Sequence, residues 1–272
     1  MATLATKSPI RLIQITDTHL YCTSAGKLLK MNTQDSMEHV VKMVKENEEV
    51  IDLILATGDI AQDASLDAYK NFISVVNELN APFRWIPGNH DSAAVMQEAA
   101  NGSDACEKLV QINNWQLIFL DTSIEGQAHG NLSPTELNFL ENSLALASHS
   151  PTVEHCLLCL HHNPVEGNAS WMKDIGLHNR SQFFNIIKQF PKVACLVYGH
   201  MHQQLDSEYE GIRCLCSPST CIQFRPNVTN FALDKINPGY RTIQLHKDGS
   251  IDTEVIRVSG YTCEADFSSS GY

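Results

Sequence analysis

Five short clusters of carboxylate, amide and imidazole side chains punctuate this 272-residue chain, each directly after an apolar run. In order they are Asp17-Thr18-His19, Gly58-Asp59, Gly88-Asn89-His90-Asp91, His161-His162-Asn163-Pro164 and Gly199-His200-Met201-His202. Taken singly each says little, because an Asp near a His at a strand end is commonly a turn cap or a surface pair. His200 and His202 say more: residues i and i+2 on an extended segment point the same way and, when a turn follows, tend to be metal ligands. Together the clusters offer more oxygen and imidazole donors than a single metal ion can use. The chemistry they suggest is that of hard or intermediate cations, provided that the fold brings them together.

The elements that would do so can be read from periodicity. Residues 11–16 form a short β-rich run, after which Met37, Val40, Val41 and Val44 recur at helical spacing. The apolar run 51–56 follows, then Tyr69, Phe72, Ile73, Val76 and Leu79 on one helical face, then a strand-like run at 82–86. This is βαβαβ, which predicts a parallel sheet covered by helices. Open α/β sheets place their ligand-binding loops beyond the carboxyl ends of the strands, where the first three clusters fall.

Further along, residues 109–112 and 116–120 flank Asn113-Asn114, an expected hairpin turn. Ser133-Pro134-Thr135-Glu136 combines an N-cap hydroxyl, a first-turn proline and a capping-box glutamate, predicting a helix from there towards Ala147. Residues 156–160, a helix near 181–189 and residues 193–198 make another β-α-β unit carrying the last two clusters. The final third, about 193–260, is β-rich, with a hairpin turning at Asp248-Gly249 and a polar tail from about 264. A single domain spanning 1–272 is expected.

Composition narrows the function. With 43% hydrophobic and 18% charged residues the chain can bury a substantial core. Its formal net charge of -12 argues against nucleic acid as a partner, since phosphate backbones are held mainly by Lys and Arg. No apolar stretch in the first twenty residues is long enough for a signal peptide, and no run of about 20 apolar residues follows, so a cytoplasmic protein without a membrane partner is expected. The nine cysteines are odd in number and several sit in apolar runs, which fits free thiols in a reducing compartment. Cys156 and Cys159 form a C-x-x-C with no second copy, and are expected to be buried strand residues rather than a redox or zinc pair.

The ordered set D-x-H, G-D, G-N-H-D, H and G-H-x-H resembles the calcineurin-like metallophosphoesterase superfamily. The longer strings ITDTHL, ATGDIAQD, WIPGNHD, LHHNP, YGHMHQ, SPSTCIQF and GYRTIQLHKDG resemble, more narrowly, the bacterial class III 3',5'-cyclic AMP phosphodiesterases, over nearly the whole chain. The resemblance implies an α/β fold, a four-layer α/β/β/α sandwich of two mixed sheets flanked by helices. It also implies two divalent or trivalent metal ions, iron, manganese or one of each. One ion would be held by Asp17, His19 and His202, the other by Asn89, His161 and His200, with Asp59 bridging them. His161 and His162 are adjacent, and the H-H-x-P register puts the ligand at His161, leaving His162 as its neighbour or as a substrate contact.

The implied reaction is hydrolysis of 3',5'-cyclic AMP to 5'-AMP by a dinuclear centre with an activated water; another phosphodiester or phosphomonoester is the alternative substrate. A paired metal site activates water and neutralises phosphoryl charge. His90 would protonate the departing 3' oxygen, and Asp59, which holds the ions together, counts with it as catalytic. His19, Asn89, His90, His162 and His202 would face the substrate. Asp91 either orients His90 or caps the following helix, and Phe224 and Arg225 either grip the nucleotide or pack in the core. Nothing in the sequence specifies an oligomeric state.

Overall fold

Where the apolar runs predict strands, the chain builds them. The computed structural model describes residues 2–4, 6 and 9–271. Strands Ile10–Ile15, Leu53–Ala56 and Phe83–Trp85 pair in parallel, connected by helices α1 (Thr33–Asn47) and α2 (Leu66–Val76), and helix α3 (Ala93–Ala100) follows the third strand. The C-terminal hairpin Gly239–Leu245 and Ile251–Arg257 joins antiparallel at the other side of Ile10–Ile15, which makes this sheet five-stranded and mixed. Its turn contains Gly249 at φ 91°, as the Asp248-Gly249 pair predicts.

The second sheet has seven strands in the order Ala2–Leu4, Leu109–Ile112, Trp115–Phe119, His155–Cys159, Val193–Tyr198, Ile212–Cys216, Leu205–Tyr209. Its four central members, Trp115–Phe119 to Ile212–Cys216, are parallel, and the Asn113-Asn114 turn joins an antiparallel pair at one side. Helices α4 (Pro134–His149) and α5 (Arg180–Ile187) cover its outer face.

Neighbouring residues on one strand face opposite cores, so the strands of both sheets must be apolar on both sides. Leu12, Leu53 and Leu55 meet Leu117, Leu157 and Val197 between the sheets. Ile13, Ile15 and Ile54 turn the other way, onto Val40, Val44 and Phe72 of α1 and α2. Ile118, Leu158 and Leu196 likewise pack on Leu140 and Leu144 of α4 and Phe183 of α5. Helices, sheet, sheet and helices therefore stack in four layers, the α/β sandwich that the sequence implies. Cys156 and Cys159 are buried strand residues, and the nine cysteines, all of them described, form no disulfide.

Two local details differ from expectation. Ser133 caps α4 through Glu136 N (3.1 Å), but the Glu136 carboxylate does not close a capping box; it accepts from Asp121 N (2.9 Å) and pairs with Lys108 (2.5 Å). The polar tail is anchored: Asp266 N donates to the Leu29 carbonyl (2.7 Å), and its carboxylate pairs with Lys30 (2.7 Å).

Candidate metal centre

All five clusters follow strands on the same side of the molecule. Asp17 and His19 come after Ile10–Ile15, Asp59 after Leu53–Ala56, and Asn89 and His90 after Phe83–Trp85, three neighbours in the first sheet. His161 and His162 follow His155–Cys159, and His200 and His202 follow Val193–Tyr198, two neighbours in the second. Face-to-face packing of the sheets brings these loops into one buried nest. His161 Nε2 lies 3.3 Å from Asp59 Oδ2 and 3.3 Å from Asn89 Oδ1; His202 Nε2 lies 3.2 Å from Asp17 Oδ1 and 3.2 Å from His19 Nε2. His200 N donates to Asp17 Oδ1 (3.0 Å), closing the circle between the two halves.

Three imidazoles are held from behind. His161 Nδ1 donates to the Thr57 carbonyl (2.8 Å), His202 Nδ1 to the Ile222 carbonyl (2.8 Å) and His19 Nδ1 to Gln62 Oε1 (2.7 Å). A ring whose Nδ1 proton is spent outward presents Nε2 inward with its lone pair, the arrangement that metal-ligating histidines adopt. His200 Nε2 and His162 Nε2 are buried with no hydrogen-bond partner among the described residues, although such atoms are seldom left unpaired. Side chains of Asp17, Asp59 and His161 offer ligand atoms within 4.8 Å of one another, as do those of His161, His162 and His200. The donor set fits cations.

Electrostatics point the same way. Burial alone would raise Asp17 and Asp59, yet neighbouring imidazoles, His202 for the first and His161 for the second, hold both carboxyls below the ordinary Asp value. Burial drives His19 and His200 down to about 3, so both rings are neutral and able to ligate. His161 goes the other way: burial opposes its charge, but Asp59 beside it lifts it to about 9. Without a cation the acid holds that proton on His161, and a bound cation would displace it.

The backbone is strained here. Asp17, His19, Asp59, His200 and His202 all have φ between 46° and 66°, the left-handed region that L residues seldom enter. Such strain, of order 1–3 kcal/mol per residue, persists where surrounding contacts over-determine the conformation, and it clusters at functional sites. Space is equally constrained. Gly58 has φ 97° and abuts the His161 ring so closely that any Cβ would strike Nδ1. Gly88 has no positive φ; its role is room, because a Cβ there would collide with the Asp59 carboxylate.

Asp91 takes neither expected role. Its carboxylate accepts from Ile60 N (3.1 Å), Ala61 N (2.9 Å), Gly88 N (2.9 Å) and Tyr69 OH (3.1 Å), stapling the Asp59 loop to the Asn89 loop, while Ser92 caps α3. His90 is positioned by its own N–H, which donates to Asp59 Oδ1 (2.9 Å), and its ring sits edge-on to His19 with centroids 5.0 Å apart.

His162 is fully buried beside His200, with Nδ1 paired to Thr122 Oγ1 (2.7 Å). Phe224 is 2% exposed and stacks on the His202 ring, 4.2 Å between centroids and 8° from parallel. It packs against a candidate ligand and also lines the cleft. Arg225 is exposed and does not line it. That cleft, about 360 Å³, opens over Asn89, His90 and His200 and is walled by Gly126, Gln127, Ala128, Trp171, Ile175 and Phe224.

Several supporting residues were not singled out by sequence. Gln14 is completely buried; its amide donates to Thr57 Oγ1 (2.7 Å) and the Tyr198 carbonyl (3.0 Å), joining the two sheets behind the site. Ser217 bonds Gln14 and accepts from Arg241 Nε (3.1 Å), and Ser219 Oγ donates to the Asp17 carbonyl (2.7 Å). A glutamine inside the apolar run LIQIT was the one visible signal. Cys221 also lies near His19 and His202, but burial pushes its thiol up to about 12, which leaves it protonated.

A two-sheet sandwich with five strand-end loops contributing Asp, Asn and His to one centre defines a class of phosphoester-cleaving metalloenzymes. The calcineurin-like phosphoesterase family matches residues 10–204, a span containing all five loops, and the chain belongs to it. Among its relatives is the 3',5'-cyclic adenosine monophosphate phosphodiesterase CpdA of Pseudomonas aeruginosa, 41% identical over 99% of this chain and 98% of that protein. The CpdA of Escherichia coli K12 is 40% identical over 99% of this chain and 97% of its own length. A dimetal phosphatase from Danio rerio shares the fold, with a TM-score of 0.64 at 16% identity, covering 93% of this chain and all of that one.

Proposed function

We propose that this protein hydrolyses 3',5'-cyclic AMP to 5'-AMP. The observation that carries the reading is the nest of inward-turned Nε2 atoms around Asp17 and Asp59, in a chain whose full-length relatives bear the name of that activity. Asp17, His19 and His202 would hold one ion and Asn89, His161 and His200 a second, with Asp59 shared, since one carboxylate has an oxygen for each. Iron and manganese suit this mixture of carboxylate, amide and imidazole donors. Bound there, the ions would supply Lewis acidity, activating water and offsetting charge on the phosphoryl oxygens.

The chain's own residues would do the rest. Asn89, His19 and His202 would border the phosphate of the bound substrate. His90, fixed through its backbone to Asp59 and lining the cleft, would pass a proton to the departing 3' oxygen. His162 would back the centre, keeping His200 in place by ring contact at 4.8 Å. The site would belong to one domain spanning 1–272. Six of the nine cysteines are buried free thiols, which supports a reducing compartment such as the cytoplasm. No helix among the described residues is long and apolar enough to cross a membrane.

Purified protein supplied with Mn²⁺ should be assayed on cyclic AMP, cyclic GMP, a glycerophosphodiester and nicked DNA. The expected outcome is highest kcat/KM on cyclic AMP, with 5'-AMP as product. Preference for either of the last two would overturn the reading.

A further inference from the structure

The cleft over the centre is chemically lopsided. Its floor is polar, made by Asn89, His90 and His200, while one wall presents Trp171, Ile175 and Phe224. A volume of about 360 Å³ is within the range of small-ligand sites, and a cyclic phosphate alone would leave most of it empty. Something flat and apolar attached to the phosphate would fill it.

Trp171 is the side chain best placed to meet it. It is the middle residue of the short turn Ser170–Met172, between Ala169 (1% exposed) and Met172 (2% exposed), whose burial fixes the turn to the core. Ser170 N donates to the Val228 carbonyl (2.9 Å), tying the turn to the loop that carries Phe224 and Phe231. The indole itself is only half-buried. Phe224 and Phe231 meet it edge-on, at centroid distances of 5.1 and 5.2 Å. Its Nε1 has no hydrogen-bond partner among the described residues, so apolar packing rather than a hydrogen bond sets its position. At interplanar angles of 83° and 65°, neither phenylalanine stacks flat on the indole.

We propose that Trp171 is the platform on which the nucleobase of the substrate stacks, with Ile175 extending the apolar wall of the same cleft. This rests on the cyclic-nucleotide reading. Stacking on an aromatic side chain is worth enough to shift affinity about 5- to 100-fold, and it favours the larger purine surface over a pyrimidine.

The test compares Trp171→Ala and Trp171→Phe with the wild type on cyclic AMP, cyclic CMP and glycerophosphoethanolamine, a diester with neither a base nor any aromatic ring. Metal content and thermal midpoint are measured on each protein. Trp171→Ala should raise KM for cyclic AMP by about 5- to 100-fold with kcat within about 3-fold, and Trp171→Phe should recover most of the loss. The wild type's preference for cyclic AMP over cyclic CMP should shrink in the Ala variant, while its activity on the small diester and its metal content stay unchanged. An unchanged KM for cyclic AMP, or an equal loss on the diester without a base, would overturn the platform. Absence of cyclic AMP hydrolysis by the wild type would instead strike the reading beneath it.

Discussion

At the scale of single residues the centre is defined by which atom each side chain turns inward. His161 and His162 are chain neighbours with opposite surroundings. His161 gives its Nδ1 proton to Thr57 and presents Nε2 to Asp59 and Asn89, whereas His162 spends Nδ1 on Thr122 and lies against His200. His161→Ala should therefore lose far more metal and activity than His162→Ala, as read by metal analysis and turnover; the reverse order would move the ligand by one residue. His90 differs in kind, for its N–H bonds Asp59 while its imidazole borders the cleft. His90→Ala should lower cyclic AMP turnover roughly 10²–10⁴-fold with metal content almost unchanged, and should lose much less on a nitrophenyl diester, whose leaving group hardly needs a proton. Equal losses on the two substrates would contradict its role as an acid. The residues with ligand chemistry were legible in the sequence because Asp, Asn and His recur at strand ends. Gln62, Thr122 and Trp171 were not, since a lone polar or aromatic residue in a loop has no periodicity to betray it.

At the scale of elements, what matters is how two loops from different strands are held against each other. Asp91 does this for the Asp59 and Asn89 loops, and Tyr69 of α2 completes the staple, its hydroxyl donating to Asp91 and accepting from Ser92 N (2.8 Å). Tyr69 is completely buried, so Tyr69→Phe leaves two polar groups short of a partner. We expect a loss of about 1–3 kcal/mol in urea unfolding, together with weaker metal retention because the Asp59 loop loosens. Unchanged stability and metal content would mean that the staple is redundant. The sequence made the strands and helices plain through alternation and 3.6-residue spacing. It left the purpose of Asp91 open because the contacts that decide it come from residues 60, 61 and 69, on other elements.

For the whole molecule, the site exists because two sheets pack face to face with their parallel strands ending on one side. Neither sheet holds a full set of donors: the first brings Asp17, His19, Asp59 and Asn89, the second His161, His200 and His202. The helix-covered sheets could be read from the order of strand-like and helical runs, but the polar tie between the sheets through Gln14, Ser217 and Arg241 could not, because Gln14 lies more than 200 residues from the other two. Asp59 is the point at which the donor sets meet, bonded to His161 from one side and accepting from His90 N on the other. The most direct test of the account is the metal content of wild type and Asp59→Asn after dialysis, with cyclic AMP hydrolysis measured on the same samples. About two ions per wild-type chain are expected, and in Asp59→Asn a loss of metal together with loss of activity, since an amide cannot bridge two cations as a carboxylate does. A variant that keeps both ions and hydrolyses cyclic AMP at a near-normal rate would contradict the account.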